Sequence, residues 1–346
     1  MKTAHFIIVL ITISLLGCKK STDLSKIEET IYVRSNGADM PVYLRGNIGS
    51  DVIILLVHGG PGGNALEYRS GKYAEALEAK FGLAYWDQRG QGMSQGVYKK
   101  EEVTIDNMVI DLNAVVNTLK SKYGSGIKVI ALGHSWGGTL TAKYMVTADL
   151  QYNINGWIEA DGAHDIPKLN IAALRKFKNE ANVQIALGNN VSNWQGILSW
   201  ANAIDTNNIT DDQGGEINKK AGEVEGWLLE DGFIQAGEQG GIKNSLLNGP
   251  TNPLTSSFTG LQTNYLLINE IESTALTAEL NNVTIPTLIL WGKYDFVVPP
   301  ALAYDAHNTI NSANKKLVIF ENSGHSPMVN EWQRFTEEII AFIKTL

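Results

Sequence analysis

Ile127-Lys128-Val129-Ile130-Ala131-Leu132-Gly133-His134-Ser135-Trp136-Gly137-Gly138 is the stretch on which the fold turns. Its first half is a nearly continuous apolar run, which suits a strand covered by helices on both faces. Its second half opens with glycines, and over residues 139–146 the apolar positions return at helical spacing. The stretch reads as strand, tight turn, helix.

The same alternation extends in both directions. Val52-Ile53-Ile54-Leu55-Leu56-Val57 is a second buried-strand run that ends in a glycine cluster. Residues 83–86 and 154–158 are strand-like, and residues 108–119 have helical spacing. Residues 29–34 and 40–45 alternate around Asn36-Gly37-Ala38-Asp39 and predict an opening hairpin. After Asp161 the character changes. Residues 165–279 are rich in Asn, Gln and Gly, with short helical stretches and no buried-strand run. Alternation resumes at 287–291 and 316–320 and closes with an amphipathic helix over 331–343. The expectation is an α/β protein, a doubly wound, mostly parallel sheet over 27–164 and 280–346, carrying an inserted, mainly helical cap over 165–279. Trp194, Trp200 and Trp227 argue that this cap is packed, because large aromatics form cores.

The net charge of -8 argues against a nucleic-acid partner, which favours a basic surface. Lys2 and the apolar run 6–16 lead to Leu15-Leu16-Gly17-Cys18, the layout of a bacterial lipoprotein signal over residues 1–18. Residues 19–26 then read as a polar tether, and Cys18 as the lipidated anchor to an envelope membrane. Cys18 is the single cysteine, so no intramolecular disulfide can form.

Gly133-His134-Ser135-Trp136-Gly137 gains its meaning from its context between a buried strand and a helix. There Ser135 is exposed at a helix N-terminus, where free N–H groups favour developing negative charge. The plain alternative is an N-cap serine. A nucleophilic serine needs a base held by an acid. His5 lies in the signal, His58 after the first buried strand, His134 beside the nucleophile with its side chain turned away, His164 at the cap and His307 in a helix. His325 lies in a loop after the last strand, at the same sheet edge as Ser135, and is the candidate base. Asp295, after the penultimate strand, completes the order Ser, Asp, His. Asp161 competes for the acid's place. The oxyanion donors are expected to be the backbone N–H groups of Trp136 and of Gly60, the latter within His58-Gly59-Gly60-Pro61-Gly62-Gly63. That loop lacks the Lys-Ser/Thr ending of a phosphate-binding loop, and no cofactor or metal is expected.

These segments, together with Trp86-Asp87-Gln88-Arg89-Gly90-Gln91-Gly92-Met93-Ser94 and Ser135-Trp136-Gly137-Gly138, resemble the prolyl iminopeptidase family of α/β hydrolases. The resemblance implies the α/β-hydrolase fold, a Ser135–Asp295–His325 triad and release of an N-terminal residue from short peptides. It also implies an oxyanion donor from the glycine loop and a structural support from Asp87-Gln88-Arg89-Gly90. Two departures stand out. His134 occupies a position that is usually glycine in the family. Trp200 is followed by Ala201, where the family has a Trp-Glu pair whose glutamate holds the substrate amine. The cap is still acidic, with fourteen Asp or Glu against seven Lys or Arg over 165–279. Glu223, Glu225 and Glu230 are candidates to receive the amine, or else a solvated helix face. Two other functions fit the sequence: a carboxylesterase or related acyl hydrolase, and a non-catalytic surface lipoprotein that keeps the fold for binding.

Overall fold

The computed structural model describes residues 25–238 and 253–346. Cys18, the expected signal and most of the expected tether lie outside the described residues. No helix among the described residues is long and apolar enough to cross a membrane.

Among the described residues, nine strands form one sheet: β1 (Lys26–Ser35), β2 (Ala38–Asn47), β3 (Val52–Val57), β4 (Gly82–Trp86), β5 (Gln95–Gly96), β6 (Lys128–His134), β7 (Gly156–Ala160), β8 (Thr287–Gly292) and β9 (Lys315–Phe320). Their order is β1-β2-β4-β3-β6-β7-β8-β9, with the two-residue β5 attached to β2. Pairs among β3, β4, β6, β7, β8 and β9 are parallel, and those involving β2 are antiparallel. β1 and β2 form the expected hairpin, each strand longer by one to three residues at either end. Its turn places Asn36 and Gly37 at φ of 42° and 79°, a left-handed pair that Asn and Gly tolerate well.

β3 shows why the central strands read as unbroken apolar runs. Ile53, Leu55 and Val57 enter one core, while Val52, Ile54 and Leu56 enter the other. The helices α3 (Ile105–Tyr123), α4 (Trp136–Val146) and α9 (Ala301–Thr309) supply the first core. α2 (Lys72–Glu78), just after the one-turn α1 (Ala65–Tyr68), and the closing α11 (Trp332–Ile343), which follows the one-turn α10 (Pro327–Asn330), supply the second. Both faces are therefore dry, and alternation with polar residues would leave buried groups without partners.

Between β7 and β8 the chain leaves the sheet for α5 (Ile166–Leu187), α6 (Val191–Ala203), α7 (Asp211–Glu230) and α8 (Pro253–Glu272). These helices run 22, 13, 20 and 20 residues, so the short helical stretches expected there are a correction. Their polar composition hid narrow apolar stripes, such as Leu169, Ala173, Leu174, Phe177 and Ala181 on α5. Local signals mark their starts. The Asp165 side chain accepts from Lys168 N, and Thr210 and Gln213 form a capping box. The insertion has its own core. Trp194 is fully buried, stacks edge-on with Trp227, and joins Phe177, Ile217 and Leu228, while Trp200 meets Phe177. Phe296 of the sheet domain completes this core, directly after Asp295.

Candidate active site

Ser135 stands between β6 and α4 with φ 56° and ψ −122°, a left-handed conformation costly for a residue with a Cβ. Its carbonyl accepts from Gly138 N and Ala163 N, and its own N–H donates to Ala160 O, which hold that conformation. The side chain makes no cap bond to α4, which removes the N-cap alternative. The flanking glycines are steric requirements. A Cβ on Gly137 would land on the Val57 carbonyl oxygen, and one on Gly133 on Thr141 Oγ1 and Gly137 O.

The candidate acid and base arrive on neighbouring strand ends. Asp295 follows β8, and His325 follows β9. Gly292 and Gly324 let these ends close together, since a Cβ on Gly292 would strike Gly324 O. His325 Nδ1 lies 2.9 Å from Asp295 Oδ2, and Asp295 Oδ1 accepts from Val298 N at 2.7 Å. The Asp295 side chain is fully buried, whereas that of His325 remains 17% exposed. Burial pushes the Asp295 carboxyl up, and so does the nearby Glu225 charge, while the Val298 N–H pulls it down. Asp161, the competing acid, makes no bond to the imidazole; its Oδ1 accepts from Gly292 N at 2.9 Å. Oxygen or nitrogen atoms of Asp161, Asp295 and His325 all lie within 4.8 Å of one another. That is close enough to surround a cation, but the direct His325–Asp295 bond makes a hydrogen-bonded set the simpler description.

Gly60 has φ 134°, which permits a glycine only, and its N–H meets no acceptor among the described residues. Trp136 opens α4, so its N–H has no acceptor within that helix. Gln88 ties the two expected donor segments together: its Nε2 donates to His58 O, and its Oε1 accepts from the Trp136 indole. Asp87 accepts from Ala65 N and Met93 N, and Gln91 Oε1 from Gly62 N. Arg89 forms a two-pronged pair with Asp111 in which both side chains are fully buried. The segment's part is mechanical.

The three cap glutamates separate. Glu223 and Glu230 are exposed on α7. Glu225 points into the sheet domain, where Oε1 accepts from Phe296 N at 2.8 Å and Oε2 from His325 N at 2.9 Å. It thus holds the loops that carry Asp295 and His325.

His134 has a part that its sequence position did not show. The ring is buried and lies 4.9 Å, centroid to centroid, from that of His325. Its Nε2 lies 2.8 Å from His325 O, which can only accept, so Nε2 carries the proton. Nδ1 then accepts from the Tyr68 hydroxyl at 2.6 Å, and that hydroxyl accepts from Gly59 N at 2.9 Å. Burial, with the neighbouring His325, lowers the pKa of His134 to about 3 and keeps the ring neutral. A second buried pair, Glu159 Oε1 and His164 Nδ1 at 2.6 Å, was also missed. The His134 partners lie 66 and 191 residues away, and the five-residue step from Glu159 to His164 matches neither strand nor helix spacing.

A family model of the alpha/beta hydrolase fold matches residues 52–331. The proline iminopeptidase of Saccharolobus solfataricus is 27% identical over 297 residues, covering 85% of this chain and 86% of that protein. The probable aminopeptidase YbaC of Bacillus subtilis is 24% identical over 300 residues, covering 83% and 87%. Among solved structures, the proline iminopeptidase of Mycobacterium smegmatis superposes with a TM-score of 0.58 at 15% identity, covering 92% of this chain and 98% of that one. An esterase from Exiguobacterium antarcticum superposes with a TM-score of 0.57 at 20% identity, covering 91% and 100%. At those identities the superpositions speak for the fold alone. With a family match over most of its length and hydrolases as relatives, the chain belongs to the α/β-hydrolase family and resembles its prolyl iminopeptidases.

Proposed function

We propose that this chain is a serine aminopeptidase that releases the N-terminal residue of short peptides through an acyl-enzyme. Ser135 attacks the carbonyl carbon, His325 takes its proton, and Asp295 holds the resulting imidazolium. Trp136 N–H and Gly60 N–H receive the oxyanion, each donor contributing about 3 to 4 kcal/mol. His325 then protonates the leaving amine, and water, deprotonated by the same base, hydrolyses the ester.

The observation that carries the amine preference is Glu225, an acidic cap residue within 2.9 Å of the His325 backbone nitrogen. Each of its oxygens takes one backbone N–H and keeps a second lone pair, so a substrate ammonium can still be received. A charge-assisted bond of this kind contributes about 1.5 to 3 kcal/mol. The test compares kcat/KM for aminoacyl amides, their N-acetylated forms and simple alkyl esters. The free amine is expected to be favoured by about tenfold or more. Equal rates on free and acetylated amides would remove the aminopeptidase reading.

A second reading, carboxylesterase, draws on α8. Thr259 and Thr263 of that helix bond to Gly92 O and Gly90 O, and Gly260 packs on Gly62 of the glycine loop. Phe258, Leu261 and Tyr265 stand exposed along it, an apolar face suited to an acyl chain. Activity confined to the esters supports this reading.

For location, the proposal is a lipid anchor at Cys18 on a bacterial envelope membrane. Lys26 pairs with Asn47 at the end of the sheet where β3 and β4 begin, opposite the edge that carries Ser135. An enzyme held from that end offers its site to substrates dissolved in the aqueous compartment. Cys18→Ser should shift the protein from the membrane to the soluble fraction or leave an unprocessed precursor; wild type found in the cytoplasm with its first methionine intact would exclude the anchor.

A further inference from the structure

Asp161 is anchored too deliberately for a spare acid. It follows β7 directly, and its N–H donates to Leu290 O while its Oδ1 accepts from Gly292 N, so backbone and side chain both grip the end of β8. It holds φ 47°, a left-handed conformation uncommon outside glycine but tolerated by Asp and Asn. The residue is fully buried. Its Oδ2 has no hydrogen-bond partner among the described residues, and an oxygen of the Asp161 carboxyl lies within 4.8 Å of one of the Asp295 carboxyl.

Burial and the like charge of the neighbour both work against ionising the two carboxyls together, so one of them holds a proton and the surroundings decide which. Asp295 accepts from Val298 N and faces the His325 Nδ1. Asp161 accepts from a single N–H, that of Gly292. The better-solvated anion is Asp295, so the proton resides on Asp161.

We infer that Asp161 is a positioning residue that, as a neutral carboxylic acid, donates a hydrogen bond to Asp295 and fixes it as the anionic acceptor for His325. The inference rests on the triad reading of Ser135, Asp295 and His325. The charged and titratable groups that face the pair are His325 from the loop after β9, Glu225 from α7, Lys176 from α5 and Tyr68 from α1. Burial and the Asp295 charge both push the Asp161 carboxyl up, and the bond from Asp161 draws Asp295 down, in the sense the pair requires.

The donated bond has a chemical consequence. It withdraws charge from Asp295, which otherwise holds the proton on the imidazole more strongly. Losing it should make His325 harder to deprotonate and move the acidic limb of kcat/KM to higher pH.

The test measures kcat, KM and the pH dependence of kcat/KM for wild type, Asp161→Asn and Asp161→Ala. The asparagine amide keeps a donor for Asp295 and an acceptor for Gly292 N, so Asp161→Asn should stay within about threefold of wild type. Asp161→Ala should lose about ten- to a hundredfold in kcat, with KM little changed. Its acidic limb should rise by about half a pH unit or more. Should asparagine prove as harmful as alanine, with neither moving the acidic limb, the inference fails and Asp161 is a packing residue. A dead Asp161→Asn beside an active Asp295→Asn also overturns it, by making Asp161 the acid. Failure of the triad itself looks different: Ser135→Ala and Asp295→Asn would both turn over substrate, whatever the Asp161 variants do.

Discussion

At the C-terminal edge of the sheet, Ser135, Asp161 and Asp295 sit within three residues of a strand end; Ser135 and Asp161 are held by backbone bonds to the neighbouring strand, and Asp295 by one to Gly292 of its own. In the helical insertion, Glu223, Glu225 and Glu230 share one helix, yet only Glu225 turns inward to bond the sheet domain. The difference lies in what sets the position. A parallel sheet places its strand ends by register, so a residue's address along the strand is its address in space. A helix packed through a narrow stripe places side chains by rotation, and a turn of about 100° per residue separates the functional position from its neighbours.

The sharpest way to break this comparison is at the sheet edge. Ser135→Ala and His325→Ala should each lower kcat/KM by about four orders of magnitude or more, with the fold intact by circular dichroism. Asp295→Asn should lose about 10⁴-fold or somewhat less. Because the three act as one unit, the double variant Ser135→Ala/His325→Ala should be no worse than either single one. Turnover near wild type in Ser135→Ala, on any good substrate, would dismiss the assignment.

In the insertion the expected effects are smaller and unequal. Glu225→Ala leaves the N–H groups of Phe296 and His325 without acceptors. Urea unfolding should show a loss of about 1 to 3 kcal/mol, and kcat should fall as the two loops loosen. Glu225→Gln keeps a single carbonyl acceptor and no charge, and should raise KM for free-amine substrates more than for acetylated ones. Glu223→Ala and Glu230→Ala should stay within about 0.5 kcal/mol of wild type in stability, as surface substitutions do. If all three glutamates behaved alike, α7 would be no more than a solvated face.

A gentler probe uses acid. His134 is neutral in the folded protein, with a pKa of about 3 against 6.5 for the free side chain. The unfolded chain therefore binds a proton in that window that the folded chain refuses, so stability must fall as pH drops below 6.5. Between pH 7 and pH 5 the penalty from this one residue is about 2 kcal/mol. His134→Gln should lose correspondingly less over the same interval, judged from urea midpoints. An identical pH dependence in both proteins would mean that His134 is not held neutral.

Much of the sheet and its edge was legible because each signal is local. Buried strands announce themselves as apolar runs, and the turn at Ser135 demands glycines at 133 and 137 for steric reasons confined to a few residues. The insertion was less so: its helices are longer than their polar sequence suggested, since apolar residues such as Ala173, Phe177 and Ala181 line a single stripe. Glu225 could be placed among the candidates but not separated from Glu223 and Glu230, because helix rotation against the sheet domain has no local signature.

By itself the sequence determined the strand-and-helix alternation, the turn around Ser135 and the strand ends on which Asp295 and His325 lie, because backbone geometry and burial act over short distances. Tertiary structure alone decided what each buried polar group meets: His134 between Tyr68 and His325, Asp161 against Asp295, Glu225 beneath both loops. These partners stand as much as 191 residues apart. A buried donor or acceptor without a partner costs about 1 to 3 kcal/mol, so the folded chain must pair them, and only packing settles which partner is in reach.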